Sequence, residues 1–122
     1  FKAYNDRFGH LRGDEVLKQV ARVLETNTPD RHVVARWGGE EFVVLAAESD
    51  RDTAHRLGEK LRNAICTFPF YGRESQPGGQ VTISVGVAAL STSDSFESLV
   101  GRADDAVYQA KADGRNRVCL EA

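Results

Sequence analysis

The 122-residue chain contains no methionine at all, so Phe1 is hard to accept as a native start, and the sequence reads as a fragment whose N-terminal portion is missing. Cysteine is scarce too. The two present, Cys66 and Cys119, lie in apolar patterns and form neither a CxxC pair nor a Cys/His cluster of metal spacing. Buried thiols in a reducing compartment are expected, not bridges or ligands. No apolar run approaches the roughly eighteen residues of a membrane span, and no targeting segment is visible. A cytoplasmic chain is expected, whose parent protein can still be membrane-tethered through the missing N-terminal region. A charge excess is lacking as well: the formal net charge is −2, which argues against a grip on a nucleic acid polymer and makes any phosphate site local. Linkers, repeats and low-complexity tracts are absent. With 41% apolar and 28% charged residues, residues 1–122 are expected to fold as one domain around their own core.

The apolar periodicity sets out the elements. "GDEVLKQVARVLETN" carries a helical stripe at 16, 17, 20, 21, 23 and 24, with Asp14 and Glu15 suited to the positive end of a helix over 14–27. Pro29 disfavours helix in the residue before it. "HVVARW" and "EFVVLAA" are β-branched and aromatic and flank Gly38-Gly39, the composition of a hairpin whose turn needs positive φ. "DRDTAHRLGEKLRNAICTF" puts Ala54, Leu57, Leu61, Ala64 and Ile65 on one face of a second helix that begins near an Asp cap. After the break at Pro77-Gly78-Gly79 a long strand is expected over about 80–90, then a third helix from a Ser cap near 95 to Gly114, then the short strand "NRVCLE". The order α-β-β-α-β-α-β implies an α+β fold, an α/β sandwich with a mixed sheet packed against helices.

The hairpin tip raises a chemical question, because a bare turn needs no carboxylate pair. Gly38 and Gly39 have no β-carbon and let a ligand approach the main chain, while Glu40 and Glu41 project acceptor oxygens beside that opening. Mg²⁺ uses one or two such carboxylates together with substrate phosphates. The plain alternative is an acidic, solvated turn. Asn5 and Asp14, nine apart, read on their own as a turn residue and a helix cap. Lys111 and Arg115, four apart, read as complements to the dipole of the third helix. His10, His32 and His55 are scattered without ligand spacing, Trp37 and Phe42 read as core packing, and no Walker A pattern is present.

The pentapeptide Gly38-Gly39-Glu40-Glu41-Phe42 resembles the signature of the GGDEF family of diguanylate cyclases in its GGEEF variant. The likeness extends along the chain: "FKAYNDRFGHLRGDEVL" resembles the family's stretch upstream of the signature, "VTISVGVA" its long strand, and "ADDAVYQAKADGRNRV" its closing helix and strand. The resemblance implies a central mixed sheet of about five strands flanked by helices, like the palm of nucleotidyl cyclases. It implies condensation of two GTP molecules into cyclic di-GMP with release of pyrophosphate, across a homodimer in which each domain holds one GTP. It places Glu40 and Glu41 as the catalytic acids, Glu40 as a metal ligand and Glu41 either as a further metal contact or as an aid to the attacking hydroxyl, with Mg²⁺ or Mn²⁺ as the cation. Asn5 and Asp14 fall on the guanine base, Gly38 and Gly39 beside the nucleotide, and Lys2, Lys111 and Arg115 among the substrate-binding cations, with Lys111 and Arg115 on the phosphates. An Asp acceptor and an Asn amide suit the donors and the carbonyl of guanine, whereas adenine would leave the Asp unpaired.

Two departures from the family accompany the resemblance. Its first core strand carries a metal-binding Asp before the position matched by Phe1, so that strand and that ligand are expected to be missing here. Many members also carry an Arg-x-x-Asp pair ahead of the signature that binds product and inhibits, and the matching positions here are Pro29 and His32. Neither supplies an Arg fork or a carboxylate, so no inhibition is expected at that site. An upstream sensory or receiver module is the expected regulatory partner. A non-catalytic receptor for GTP or cyclic di-GMP is the alternative from a different functional class.

Overall fold

The computed structural model of the chain describes residues 2–121, except for the side chains of residues 2, 3 and 77. Among the described residues, four helices and four strands follow in the order α1 (Lys2–Phe8), α2 (His10–Thr26), β1 (Val33–Gly38), β2 (Glu41–Leu45), α3 (Arg51–Thr67), β3 (Val85–Val87), α4 (Phe96–Ala112) and β4 (Val118–Leu120). Two single 3₁₀ turns, Arg73–Ser75 and Pro77–Gly79, precede β3. The α+β class expected from the periodicity holds. Among the described residues no helix is long and apolar enough to cross a membrane.

Two compact units divide the chain, one formed by residues 1–47 and 64–81 and the other by 48–63 and 82–122. In the first, α2 buries Val16, Leu17, Val20, Val23 and Leu24, the stripe its sequence predicts. Fully burying such a side chain contributes about 1.5–3 kcal/mol. α2 begins at His10, four residues ahead of the expected start, because Gly9 at φ 84° separates it from α1 and the chain is helical again at once. No side chain caps that end and its first turn holds no acid. Asp14 therefore does no capping. The short α1, absent from the sequence reading, is held by Tyr4, which is 1% exposed and donates from its hydroxyl to the Tyr71 carbonyl at 2.7 Å. The Phe8 ring packs between Tyr4 and Tyr71, with centroids 4.8 and 5.4 Å away.

β1 and β2 form the expected antiparallel hairpin, with Val33 opposite Leu45 and Arg36 opposite Phe42. The register shifts between Arg36 and Gly38, a bulge that re-aims the tip, and Gly39 supplies the positive φ of 52° that the turn requires. At the open end, buried His32 accepts the Ala47 N–H on Nδ1 at 3.0 Å, and its backbone N–H donates to the Pro29 carbonyl at 2.9 Å. These two positions thus serve the hairpin's base. Trp37 corrects the sequence reading: it is 53% exposed and is not a core residue.

In the second unit β3 pairs in parallel with β4, Val85 to Val118 and Val87 to Leu120. The strand expected over 80–90 is thus three residues long, since 80–84 have no strand partner among the described residues. The described strands make two two-stranded sheets where about five strands were expected. Gly86 lets β3 press against α4: a β-carbon there would lie 2.2 Å from the Ala103 carbonyl oxygen and 2.5 Å from the Val107 nitrogen. α4 has the expected caps. Ser95 and Ser98 form a reciprocal capping box, and Gly114 lies just past the end at φ 120°. Asp50 caps α3 through the Thr53 N–H at 2.8 Å.

Candidate active site

A cleft of about 380 Å³ opens in the first unit, lined by Asn5, Asp14, Leu17, Arg36, Gly39 and Glu40. Three separate elements bring these groups together. Asn5 comes from α1, Asp14 and Leu17 from successive turns of α2, and Arg36, Gly39 and Glu40 from the hairpin. The spacing of three between Asp14 and Leu17 puts both on one side of α2, so that an exposed carboxylate stands next to a buried apolar floor. Among the described residues, the Asn5 Oδ1 atom is buried with no hydrogen-bond partner. Such an atom costs about 1–3 kcal/mol unless a donor meets it, and it lies on the wall of a cleft open to ligand.

The other wall is the hairpin turn. The Arg36 guanidinium donates from Nε and Nη2 to the Gly39 carbonyl at 2.8 and 2.5 Å, closing the turn beneath Glu40. A β-carbon at Gly38 or Gly39 would meet nothing within 4 Å, so the backbone here lies open on both residues. Glu40 and Glu41 are exposed, and Glu41 pairs across from Gly38 at the start of β2. The cleft thus presents two carboxylates, one guanidinium, an amide and exposed peptide groups, a set suited to a polar ligand with both donors and acceptors. Among the described residues no three His, Cys, Asp or Glu side chains gather as a metal cluster.

Lys111 and Arg115 belong to the second unit, at the end of α4 and in the turn after it. Both are exposed. Among the described residues neither the Lys111 amine nor the Arg115 guanidinium has a hydrogen-bond or ion-pair partner. Residues 114–116 all take positive φ, at 120°, 66° and 46°.

The family model for the diguanylate cyclase GGDEF domain matches residues 1–117. The chain belongs to the GGDEF domain family. This GGDEF domain is 44% identical over 118 residues to diguanylate cyclase DgcM of Escherichia coli strain K12, covering 97% of this chain and 28% of the relative. It is 45% identical over 126 residues to the response regulator PleD of Caulobacter vibrioides, covering all of this chain and 27% of that protein. The chain therefore spans little more than a quarter of these two curated relatives. Among solved structures it is similar to the active GGEEF domain of a diguanylate cyclase from Vibrio cholerae, with a TM-score of 0.89 and 35% identity, over 100% of this chain and 76% of that one. It is also similar to the GGDEF domain of DgcB from Caulobacter crescentus in complex with c-di-GMP, with a TM-score of 0.88 and 32% identity, over 98% and 71% of the two chains.

Within this GGDEF domain the cleft unites four of the residues singled out from the sequence, Asn5, Asp14, Gly39 and Glu40. Gly38 and Glu41 neighbour them on the hairpin without lining the cleft. The Lys2 side chain lies outside the described residues. Asn5 and Asp14 have also lost their structural explanations, since Asn5 sits inside α1 and Asp14 sits beyond the first turn of α2. The sequence reading missed Arg36. An arginine in a strand that precedes two glycines reads as solvated, and only the folded turn shows its guanidinium aimed at the Gly39 carbonyl.

Proposed function

We propose that this chain is the catalytic domain of a diguanylate cyclase, which condenses two GTP molecules into cyclic di-GMP and pyrophosphate. The observation that carries the reading is the orphaned Asn5 Oδ1 in a cleft that Asp14 and Glu40 also line. Guanine offers ring N–H and exocyclic NH₂ donors; Asp14 takes the ring N–H and one NH₂ hydrogen, and the orphaned Asn5 Oδ1 accepts the other NH₂ hydrogen. Leu17 supplies the apolar floor under the base. The volume suits one nucleotide, within the usual range of about 300–1,000 Å³ for a ligand pocket.

In the reaction, the 3′-hydroxyl oxygen of one GTP attacks the α-phosphorus of the other. A new P–O bond forms, the bond to the pyrophosphate oxygen breaks, and the hydroxyl proton passes to a carboxylate, a role we give to Glu41. Repetition of the step in the opposite sense closes the ring. Since one cleft holds one nucleotide, two copies of the domain face each other in a homodimer during catalysis. Lys111 and Arg115 hold phosphate oxygens, one as a point charge and the other as a two-pronged donor.

The donor set fits Mg²⁺ or Mn²⁺. Glu40, with Glu41 beside it, supplies the one or two protein carboxylates that such a cation takes, and nucleotide phosphates supply further oxygens. When bound, the cation neutralises charge that develops on the phosphates. Glu40 holds it, and Arg36 holds Glu40's turn. A sensory or receiver module is the regulatory partner that this reading calls for. With Pro29 and His32 engaged at the hairpin base, product does not inhibit through that face.

Incubation of the full-length protein with GTP and Mg²⁺ tests the reading. Cyclic di-GMP is expected from the unmutated protein, and Glu40→Gln is expected to bind GTP but form no product. A dimeric unmutated protein that binds GTP and makes no product would instead establish a nucleotide receptor.

A further inference from the structure

The turn that follows α4 is held in an unfavourable conformation from several sides. Arg115 and Asn116 carry side chains yet take φ of 66° and 46°, a region that L residues enter only when surrounding contacts over-determine it. Three main-chain and side-chain contacts do so. The Arg115 N–H donates to the Ala110 carbonyl at 2.9 Å, across the end of α4. Arg117 Nε donates to the Arg115 carbonyl at 3.0 Å. From α3, Arg62 Nη1 donates to Asn116 Oδ1 at 3.0 Å, while its Nη2 meets Glu59 Oε2 at 3.3 Å one turn earlier. These residues all belong to the second unit.

The peptide groups on either side of Arg115 are thus pinned while its guanidinium is exposed and, among the described residues, unpartnered. That is the arrangement of a pre-organised anion contact, in which the backbone is fixed beforehand so that little ordering remains for the moment of binding. A turn needed only to link α4 to β4 would relax to ordinary φ values if its contacts allowed it.

We propose that Arg62 is a positioning residue for nucleotide binding: through Asn116 it holds the left-handed turn that sets the direction from which Arg115 meets a phosphate. The inference rests on the phosphate role proposed above for Arg115. Arg62 does not touch the nucleotide. Its effect passes through Asn116, so removing Arg62 costs affinity only while Arg115 is present.

The test is calorimetric titration of the full-length protein with α,β-methylene GTP and, separately, with guanosine, which has no phosphates. Variants are Arg62→Ala, Asn116→Gly, Arg115→Ala and the double variant Arg62→Ala/Arg115→Ala. Asn116→Gly removes the amide but accepts positive φ freely, so it separates the contact from the fold, with the melting midpoint as control. Arg62→Ala and Asn116→Gly are each expected to weaken the analogue about three- to tenfold, and Arg115→Ala about tenfold or more. The double variant is expected to bind no more weakly than Arg115→Ala alone, because coupled residues are not additive. Guanosine affinity is expected to stay constant throughout. Additive losses in the double variant, or Arg62→Ala and Asn116→Gly binding at full strength while Arg115→Ala is weakened, would overturn the positioning role and leave the phosphate contact standing. Full-strength binding by Arg115→Ala would overturn both.

Discussion

The guanidinium of Arg36 grips the carbonyl of Gly39 with two hydrogen bonds, at 2.8 and 2.5 Å, and so shuts the hairpin turn directly before Glu40. The bond is at the surface, so its contribution to stability is small, about 0.5–1.5 kcal/mol. Its contribution to geometry is larger, because a carboxylate displaced by an ångström at a reacting phosphate costs about a hundredfold in rate. Arg36→Lys keeps the charge and loses the two-pronged grip. Initial-rate measurements are expected to show a fall in kcat of about ten- to a hundredfold, with a melting midpoint little changed. An unaltered kcat would show that the turn holds without it.

Gly86 faces α4 at a distance that no side chain tolerates. A β-carbon would meet the Ala103 carbonyl oxygen at 2.2 Å and the Val107 nitrogen at 2.5 Å, both backbone atoms that cannot rotate away. Gly86→Ala is expected to destabilise the domain by about 2–3 kcal/mol, at the upper end of overpacking costs. Urea unfolding of the two proteins reads this directly, and a difference under about 0.5 kcal/mol, the size of an ordinary surface change, would contradict the close approach.

Asp94 is the acid-sensitive joint of the second unit. Its carboxyl is lowered from 3.8 to about 2, chiefly by the Ser91 N–H at 2.8 Å and then by the Ser98 hydroxyl and Arg102, while burial works in the opposite direction. Arg102 also bonds Glu121 and the Ala89 carbonyl, so Asp94 ties the loop before α4 to the chain beyond β4. A carboxyl with a folded value below its ordinary 3.8 binds fewer protons in the native state. Its stabilisation is present above that ordinary value and is lost as pH falls toward 2. Asp94→Asn is expected to be less stable than the unmutated protein near pH 6, with the gap closing between pH 4 and pH 2. Unfolding curves across that range check it, and a gap independent of pH would place the effect elsewhere.

Local chemistry made much of this fold legible in the sequence. Ser95 and Gly114 delimit α4, Asp50 starts α3, and β-branched runs on either side of Gly38-Gly39 specify the hairpin. What escaped was set by contacts distant along the chain. α1 is seven residues long and is held by Tyr4 reaching Tyr71, 67 positions away, which no periodicity records. Asp14 and Glu15 imitate first-turn acids, so the sequence places the start of α2 four residues late and hides that Asp14 is free to line a cleft. The strand expected over 80–90 carries β-branched residues at 81–83, 85 and 87 but pairs over three residues only, and pairing, not propensity, makes a strand. In the cleft, residue types pointed to Asn5, Asp14 and Glu40, while Arg36 needed the folded turn to be seen.

The central claim is that the cleft between Asn5, Asp14 and Glu40 reads guanine. Competition titration of GTP against ATP on the full-length protein, unmutated and with Asp14→Ala, tests it most directly. A lost hydrogen bond to a charged acceptor corresponds to about a ten- to hundredfold preference for GTP, which Asp14→Ala is expected to abolish. Equal binding of the two nucleotides by the unmutated protein, or a preference that survives Asp14→Ala, would contradict the account.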